Sequence, residues 1–152
     1  MLAERHPELD PVGFNVLDFV HAIGSGLDAL MYSRLFWPEF VVVDGMVFRK
    51  ETIEDMADRE MLVTATHRYE GRKELIEQDL NFVEVAHLFG ARAGESGEAQ
   101  YWDLAELLAQ MWECRLRTAF PTRRFAVEVV PGDEPSLVGV VFYQLCWTGE
   151  PW

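Results

Sequence analysis

The sequence contains few cysteines, and their positions argue against a disulfide or zinc framework. Only Cys114 and Cys146 occur among the 152 residues, and no short spacing typical of a metal site joins them. Small secreted domains held by several disulfides are therefore excluded. We predict two free, buried thiols in a protein of the reducing cytoplasm.

Long apolar runs are also lacking. No stretch approaches the roughly 18 consecutive apolar residues of a membrane span, so the sequence predicts no membrane-spanning helix. The segment MLAERHPELDP alternates charge and proline, where a signal peptide needs a basic start followed by an apolar run. We therefore expect a soluble, cytoplasmic protein.

Basic residues are scarce. Lys and Arg number 13 against 26 Asp and Glu, which gives a formal net charge of -13. Such a polyanion repels phosphate backbones and anionic lipid head groups. We therefore expect neither nucleic acid nor a membrane surface as a direct partner, and a basic protein becomes the favoured one.

Motifs for nucleophilic catalysis and phosphate binding are absent as well. Gly24-Ser25-Gly26 has neither the spacing nor the preceding strand of a nucleophile elbow. No glycine-rich loop of the phosphate-binding or dinucleotide-binding type occurs, and no motif identifies a family. The sequence thus predicts no catalytic residue and no cofactor, and it favours a protein that is not an enzyme.

A large apolar fraction is present. Hydrophobic residues make up 49% of the chain, which is enough for one packed domain over residues 1–152. Helical and strand patterns alternate along it, so we predict an α+β fold. The expected architecture is a mostly antiparallel sheet of four to five strands with three or four helices packed on one face.

The strongest local signal is a β-hairpin. Phe40–Val43 and Met46–Phe48 flank Asp44-Gly45, a pair suited to the positive φ angles of a type I′ turn. Residues 62–69 are rich in β-branched side chains and are predicted as a strand, with a helix as the alternative. Further helices are predicted over Asn15–Phe36, with a break at its glycines, from Glu51, over Arg72–Phe89 and over Tyr101–Thr118. Strands are predicted over Phe125–Val129 and Leu137–Trp147, and we expect the second of these to be central in the sheet.

An acidic run, ETIEDMADRE, follows the hairpin. Glu51, Glu54, Asp55 and Asp58 are predicted to share one face of a helix that starts there. Together with Trp37, they form the candidate binding surface for a basic protein. The alternatives are a merely solvated acidic face and a Trp37 that closes the edge of the core.

Two carboxylate–histidine pairs are weak candidates for a metal or acid–base site. Asp18-x-x-His21 and Glu84-x-x-His87 have the i, i+3 spacing by which helical bundles hold metal ions. A carboxylate three residues before a histidine arises easily by chance in an acidic sequence. We therefore predict no bound metal.

These observations favour a non-enzymatic acidic binding protein, for example a bacterial immunity-type or antitoxin-type inhibitor of a basic protein. The first alternative is a metal-dependent or acid–base enzyme that uses the two pairs. Another is a small-ligand domain. A homo-oligomer also stays open, because aromatic residues near the C-terminus have little of their own chain to pack against. The small-ligand pocket would be lined by Phe82, Met111, Phe125 and Phe142. The aromatic residues that could contact a second subunit are Trp147 and Trp152.

Overall fold

The computed structural model describes residues 17, 20, 21, 24–54, 56–88, 98–133 and 137–147. The chain divides into two compact units, Met1–Leu35 and Phe36–Trp152, so the expected single domain stays a prediction. Helices and antiparallel strands occur together, which confirms the α+β class. None of the helices in the described ranges combines the length and the apolar character needed to cross a membrane.

The first unit contains most of helix α1 (Gly26–Phe36). The expected helix over Asn15–Phe36 is interrupted as predicted, because Gly24 and Ser25 are not helical. The Ser25 hydroxyl then accepts a hydrogen bond from the Asp28 N–H at 3.3 Å, as an N-cap does. Apolar residues that recur at helical spacing in this segment are exposed where they are described, namely Val20, Leu27, Leu30 and Met31.

The second unit begins with the predicted hairpin. Strand β1 (Phe40–Val43) pairs antiparallel with β2 (Met46–Arg49), and the prediction is confirmed. Asp44 and Gly45 occupy the turn with φ of 51° and 86°, which a type I′ turn requires at both central residues.

Residues 62–69 are not a strand, and helix α2 (Met56–Arg68) covers all of them except the last. The helix also begins later than predicted, because Lys50–Thr52 form a separate 3-10 turn. Burial decides against the β-branched propensity. Ala65 packs into an apolar cluster with residues of the hairpin and of the next helix, and only helical spacing also directs Leu62 and Tyr69 toward that cluster.

The single helix expected over Arg72–Phe89 is also wrong. Helix α3 (Lys73–Asn81) ends where Phe82 becomes extended, with ψ of 137°; strand β3 (Val83–Glu84) and helix α4 (Val85–Leu88) follow. Strand pairing explains the break, because Val83 and Glu84 pair with a later strand. The position of Val83 fits the apolar spacing of a helix, yet the backbone of Val83 and Glu84 pairs with a strand.

Helix α5 (Glu98–Ala119), strand β4 (Phe125–Pro131) and strand β5 (Val138–Gln144) match the predicted elements within a few residues. The sheet order is β3-β5-β4, so the nearly wholly apolar β5 is central, as its sequence predicts. On one face of this sheet, Phe142 makes an edge-on contact with Trp112 of α5, with ring centroids 5.9 Å apart. Both side chains are fully buried.

The expected single sheet of four to five strands is therefore wrong, because the described residues form two small antiparallel sheets, one of two strands and one of three. The outer edge of β2, which could have paired with the larger sheet, instead forms hydrogen bonds with side chains. Val43 and Met46 close the two-residue turn, so the next pair, Val42 and Val47, is the kind that exchanges no hydrogen bonds. The N–H and C=O of Val47 thus point away from β1.

Side chains of α3 meet that edge. Glu77 is fully buried, and its carboxylate accepts four hydrogen bonds. Oε1 accepts from the Val47 N–H at 2.7 Å and from Gln144 Nε2 at 2.6 Å; Oε2 accepts from the Gln144 N–H at 2.8 Å and from Trp147 Nε1 at 3.0 Å. Burial raises the pKa of the Glu77 carboxyl above its usual value, and these four donors oppose the rise.

Asn81 lies one helical turn after Glu77 and completes the bridge. Its Nδ2 donates to the Val47 carbonyl at 2.9 Å and to the Phe142 carbonyl at 3.4 Å, while its Oδ1 accepts from the Arg49 N–H at 3.4 Å. Glu77 and Asn81, at i and i+4 of α3, therefore form the hydrogen bonds with the outer edge of β2 that a further strand would otherwise form. They join the hairpin to β5 through α3.

We predict that Glu77→Gln lowers the free energy of unfolding by about 2 kcal/mol or more. An amide offers one acceptor oxygen, so either orientation turns an NH2 group toward two buried donors, each worth roughly 1–3 kcal/mol when unsatisfied. Urea unfolding of the variant measures the loss. Glu113→Gln on the exposed side of α5 is the matched control and should unfold like the parent protein. A Glu77→Gln protein as stable as the parent would contradict this role.

Candidate functional site

The open end of the hairpin brings together the two parts of the predicted binding surface. The Lys50 N–H donates to the Glu39 carbonyl at 2.8 Å, and Lys50 Nζ forms an ion pair with Glu39 Oε2, also at 2.8 Å. Trp37 lies two residues before this pair and Glu51 one residue after it. The indole and the start of the acidic run therefore share one end of the hairpin, which we call the hairpin base (residues 37–39 and 50–54).

Trp37 is 43% exposed, so its ring does not close the core. The guanidinium carbon of Arg115, from α5, lies 5.6 Å from the centre of the ring. Arg115 Nε also donates to the Pro38 carbonyl at 3.1 Å. One face of the indole is thus supported by a cation while much of the ring remains accessible, which suits an interface anchor.

The acidic run lies at the hairpin base, although not in the predicted form. Glu51 is exposed in the 3-10 turn, and Glu54 is exposed before α2 begins. Asp58 belongs to α2, its side chain lies outside the described part of the chain, and Asp55 lies outside the described residues altogether. The prediction that one helix carries all four carboxylates is wrong, because the helix starts only at Met56.

A buried cation lies near this acidic segment. The guanidinium carbon of Arg49 lies 5.2 Å from the centre of the Trp112 ring. Burial lowers the pKa of Arg49 to about 10, and the negative charge of Glu51 opposes that change. Glu51 therefore stabilises a buried charge of its own chain in addition to facing solvent.

One of the two carboxylate–histidine pairs does not form the expected helical arrangement, and the other stays a prediction. Glu84 belongs to β3 and His87 to α4, so the two side chains are not one turn apart on a single helix. His21 is an exposed helical residue, and Asp18 lies outside the described residues. No group of three His, Cys, Asp or Glu side chains that could hold a metal ion occurs in the part of the chain that the structure describes.

The two cysteines differ in their exposure. Cys114 is exposed, contrary to the expectation that both cysteines are buried. Cys146 is partly buried, and its pKa is raised by burial and by the negative charge of Glu77. A raised pKa disfavours the thiolate, which is the reactive form.

The residues expected to line a ligand pocket do not come together in the cleft that contains Phe82. Phe142 is fully buried, with the rings of Phe40 and Phe125 at 5.6 and 6.3 Å between centroids. Phe82 is 43% exposed and lines a cleft whose walls include none of the other three predicted residues. Trp147, considered for a partner subunit, instead donates to Glu77, and Trp152 lies outside the described residues.

Sequence reasoning missed the polar residues that hold the turn of the hairpin. Lys73 Nζ donates to the Asp44 carbonyl at 2.5 Å, and the Gly45 carbonyl accepts from Arg123 Nη1 and from Gln144 Nε2, each at 2.9 Å. The signal was available in α3. The segment predicted as a helix over Arg72–Phe89 carries Glu77 and Asn81 four residues apart on one face, and such a pair must find partners when it is buried.

Comparisons with protein-family models, with curated proteins and with solved structures found no match for this chain.

We predict that Trp37→Ala lowers the free energy of unfolding by at most about 2 kcal/mol, because 43% of the residue is already exposed to solvent. Trp112→Ala is the matched comparison, and it should cost about 3 to 5 kcal/mol, because that side chain is fully buried. Chemical denaturation of the two variants measures both values. A Trp37→Ala loss as large as that of Trp112→Ala would assign Trp37 to the core.

Proposed function

We propose that the protein is a non-enzymatic acidic binding protein that engages a basic protein through the hairpin base. An immunity-type or antitoxin-type inhibitor, which covers the active site of a basic enzyme in the cytoplasm, is the form that we favour. One observation supports the proposal: the Lys50 N–H donates to the Glu39 carbonyl, so the exposed Trp37 and the acidic segment that starts at Glu51 flank the same end of the hairpin.

The surface combines two kinds of binding energy. Trp37 offers a large, partly exposed aromatic face, and tryptophan is among the residues that most often dominate interface energetics. Glu51 and Glu54, which follow strand β2 at the same end of the hairpin, are exposed and add negative charge to the hairpin base. Charges at the rim mainly raise the association rate and select against wrong partners, so the aromatic anchor and the acidic rim have complementary roles.

Rigidity supports the same proposal. The hairpin turn is fixed by Lys73, Arg123 and Gln144, and its outer edge is bonded to Glu77 and Asn81. A surface held in one conformation loses little conformational entropy when it binds. The net charge of -13 adds long-range attraction for a basic partner.

The test is a pull-down from a lysate of the native host at about 0.05 M and about 0.5 M salt, a change that shortens the screening length about threefold. We expect a basic protein to bind at low salt and to be largely lost at high salt. The double variant Glu51→Lys/Glu54→Lys should fail to retain it, because the charge at the hairpin base is reversed.

The matched control is Glu106→Lys/Glu113→Lys, which changes the net charge equally at two exposed positions of α5. It should retain the partner nearly as well as the parent protein. Equal losses in both double variants would mean that only total charge matters, and binding that ignores both salt and the hairpin-base variant would refute the proposal.

A further inference from the structure

A cleft of about 350 Å³ lies between α3 and the sheet face that is opposite to α5. Glu128 and Val130 of β4 and Val141 and Tyr143 of β5 line it, and these positions share one face of the sheet. Phe142, on the other face, packs against Trp112. The cleft is therefore separate from the packed core between sheet and α5.

Aromatic rings form much of its wall. Tyr69, Phe82 and Tyr143 all line the cleft. Phe82 lies directly over Gly139 of β5, where a Cβ atom would collide with the ring, so the glycine is what lets the ring approach the strand. The ring is nevertheless 43% exposed.

The charged residues of the lining are all acidic. Asp79 and Glu128 lie in it, and no Lys or Arg is among the described residues that line it. Glu128 Oε1 accepts a hydrogen bond from the Tyr143 hydroxyl at 2.8 Å, which fixes one carboxylate against one ring. Aromatic faces and carboxylates together favour a cation that carries an apolar stem.

The chain itself shows this recognition at the edge of the cleft. Arg68 Nη1 lies 3.3 Å from Asp79 Oδ2, and the guanidinium carbon lies 5.9 Å from the centre of the Tyr69 ring. A guanidinium is thus already held between a lining carboxylate and a lining ring. Glu128, on the opposite wall, pairs with a neutral tyrosine hydroxyl, so its negative charge is not neutralised by that bond.

We propose that this cleft receives an arginine side chain of the basic partner protein, a proposal that rests on the function proposed above. The guanidinium lies over the aromatic wall and donates to Glu128, because its planar fork matches a carboxylate. The methylene stem lies against Val130 and Val141. The volume suits one long side chain and lies at the lower end of the range for ligand pockets.

The probe is N-acetyl-L-arginine N-methylamide, titrated into the full chain and followed by NMR at the ring protons of Tyr69, Phe82 and Tyr143. We expect saturable shifts with a dissociation constant of about 1 mM. The citrulline counterpart keeps the shape and lacks the charge, and it should bind at least about tenfold more weakly. Equal binding of the two probes would overturn the proposal.

The variant Asp79→Asn/Glu128→Gln keeps the shape of the cleft and removes both charges. It should weaken probe binding at least about fivefold, whereas Glu106→Gln/Glu113→Gln, an equal charge change on α5, should leave it within about twofold. Unchanged affinity in the cleft variant would contradict the assignment. Because both substitutions are isosteric and the side chains are partly exposed, unfolding midpoints should stay close to that of the parent.

Two further arms separate the outcomes. If free arginine binds at least about tenfold more tightly than the blocked amide, the cleft serves a small molecule and the assignment to a protein side chain is wrong. If the cleft variant retains the basic partner as well as the parent does, this inference fails while the function assigned to the hairpin base stands. The same conclusion follows if the hairpin-base variant Glu51→Lys/Glu54→Lys loses the partner while the cleft variant keeps it.

Discussion

A carboxylate that is buried without a cation must receive enough hydrogen-bond donors to replace the water it has lost, and Glu77 receives four. They come from β2, from β5 and from the turn that follows β5. The charge itself is costly to bury, as the raised pKa indicates. Because each donor would in turn be unsatisfied without the carboxylate, these segments depend on one another through a single side chain.

This bridge constrains the hairpin, which the proposed binding role requires. A two-stranded hairpin is marginally stable by itself, and its outer edge would be free to pair with other chains. Here the outer edge of β2 is closed by Glu77 and Asn81, and the turn is bonded to Lys73 and Arg123. Because the outer edge and the turn are both held by hydrogen bonds, the hairpin base, which contains Trp37 and Glu51, has a fixed geometry.

Local signals predicted the elements that depend on local chemistry. Asp44-Gly45 predicted the hairpin, because few dipeptides adopt two positive φ values, and the apolar run over Leu137–Trp147 predicted the central strand. Tertiary contacts decided the failures. Val63, Thr64 and Thr66 favour a strand by propensity, yet burial of Ala65 makes the segment helical.

The residues of the candidate site could be predicted from the sequence, but their arrangement could not. Trp37 and the acidic run could be chosen from residue type, but the start of α2 depends on a 3-10 turn that no pattern marked. The bridge was missed for a physical reason. Periodicity ranks residues by hydrophobicity, so it assigns Glu77 and Asn81 to the wet face, whereas their partners are backbone groups of strands 30 or more residues away in the chain.

Amide hydrogen exchange at Val47 is the measurement that tests the bridge most directly. Val47 lies on the outer edge of a two-stranded sheet, where an amide facing water would exchange quickly. Because its N–H donates to buried Glu77, the account predicts protection within about 1 kcal/mol of that of the slowest amides in β5. Exchange of the Val47 amide as fast as that of an exposed edge residue would contradict it.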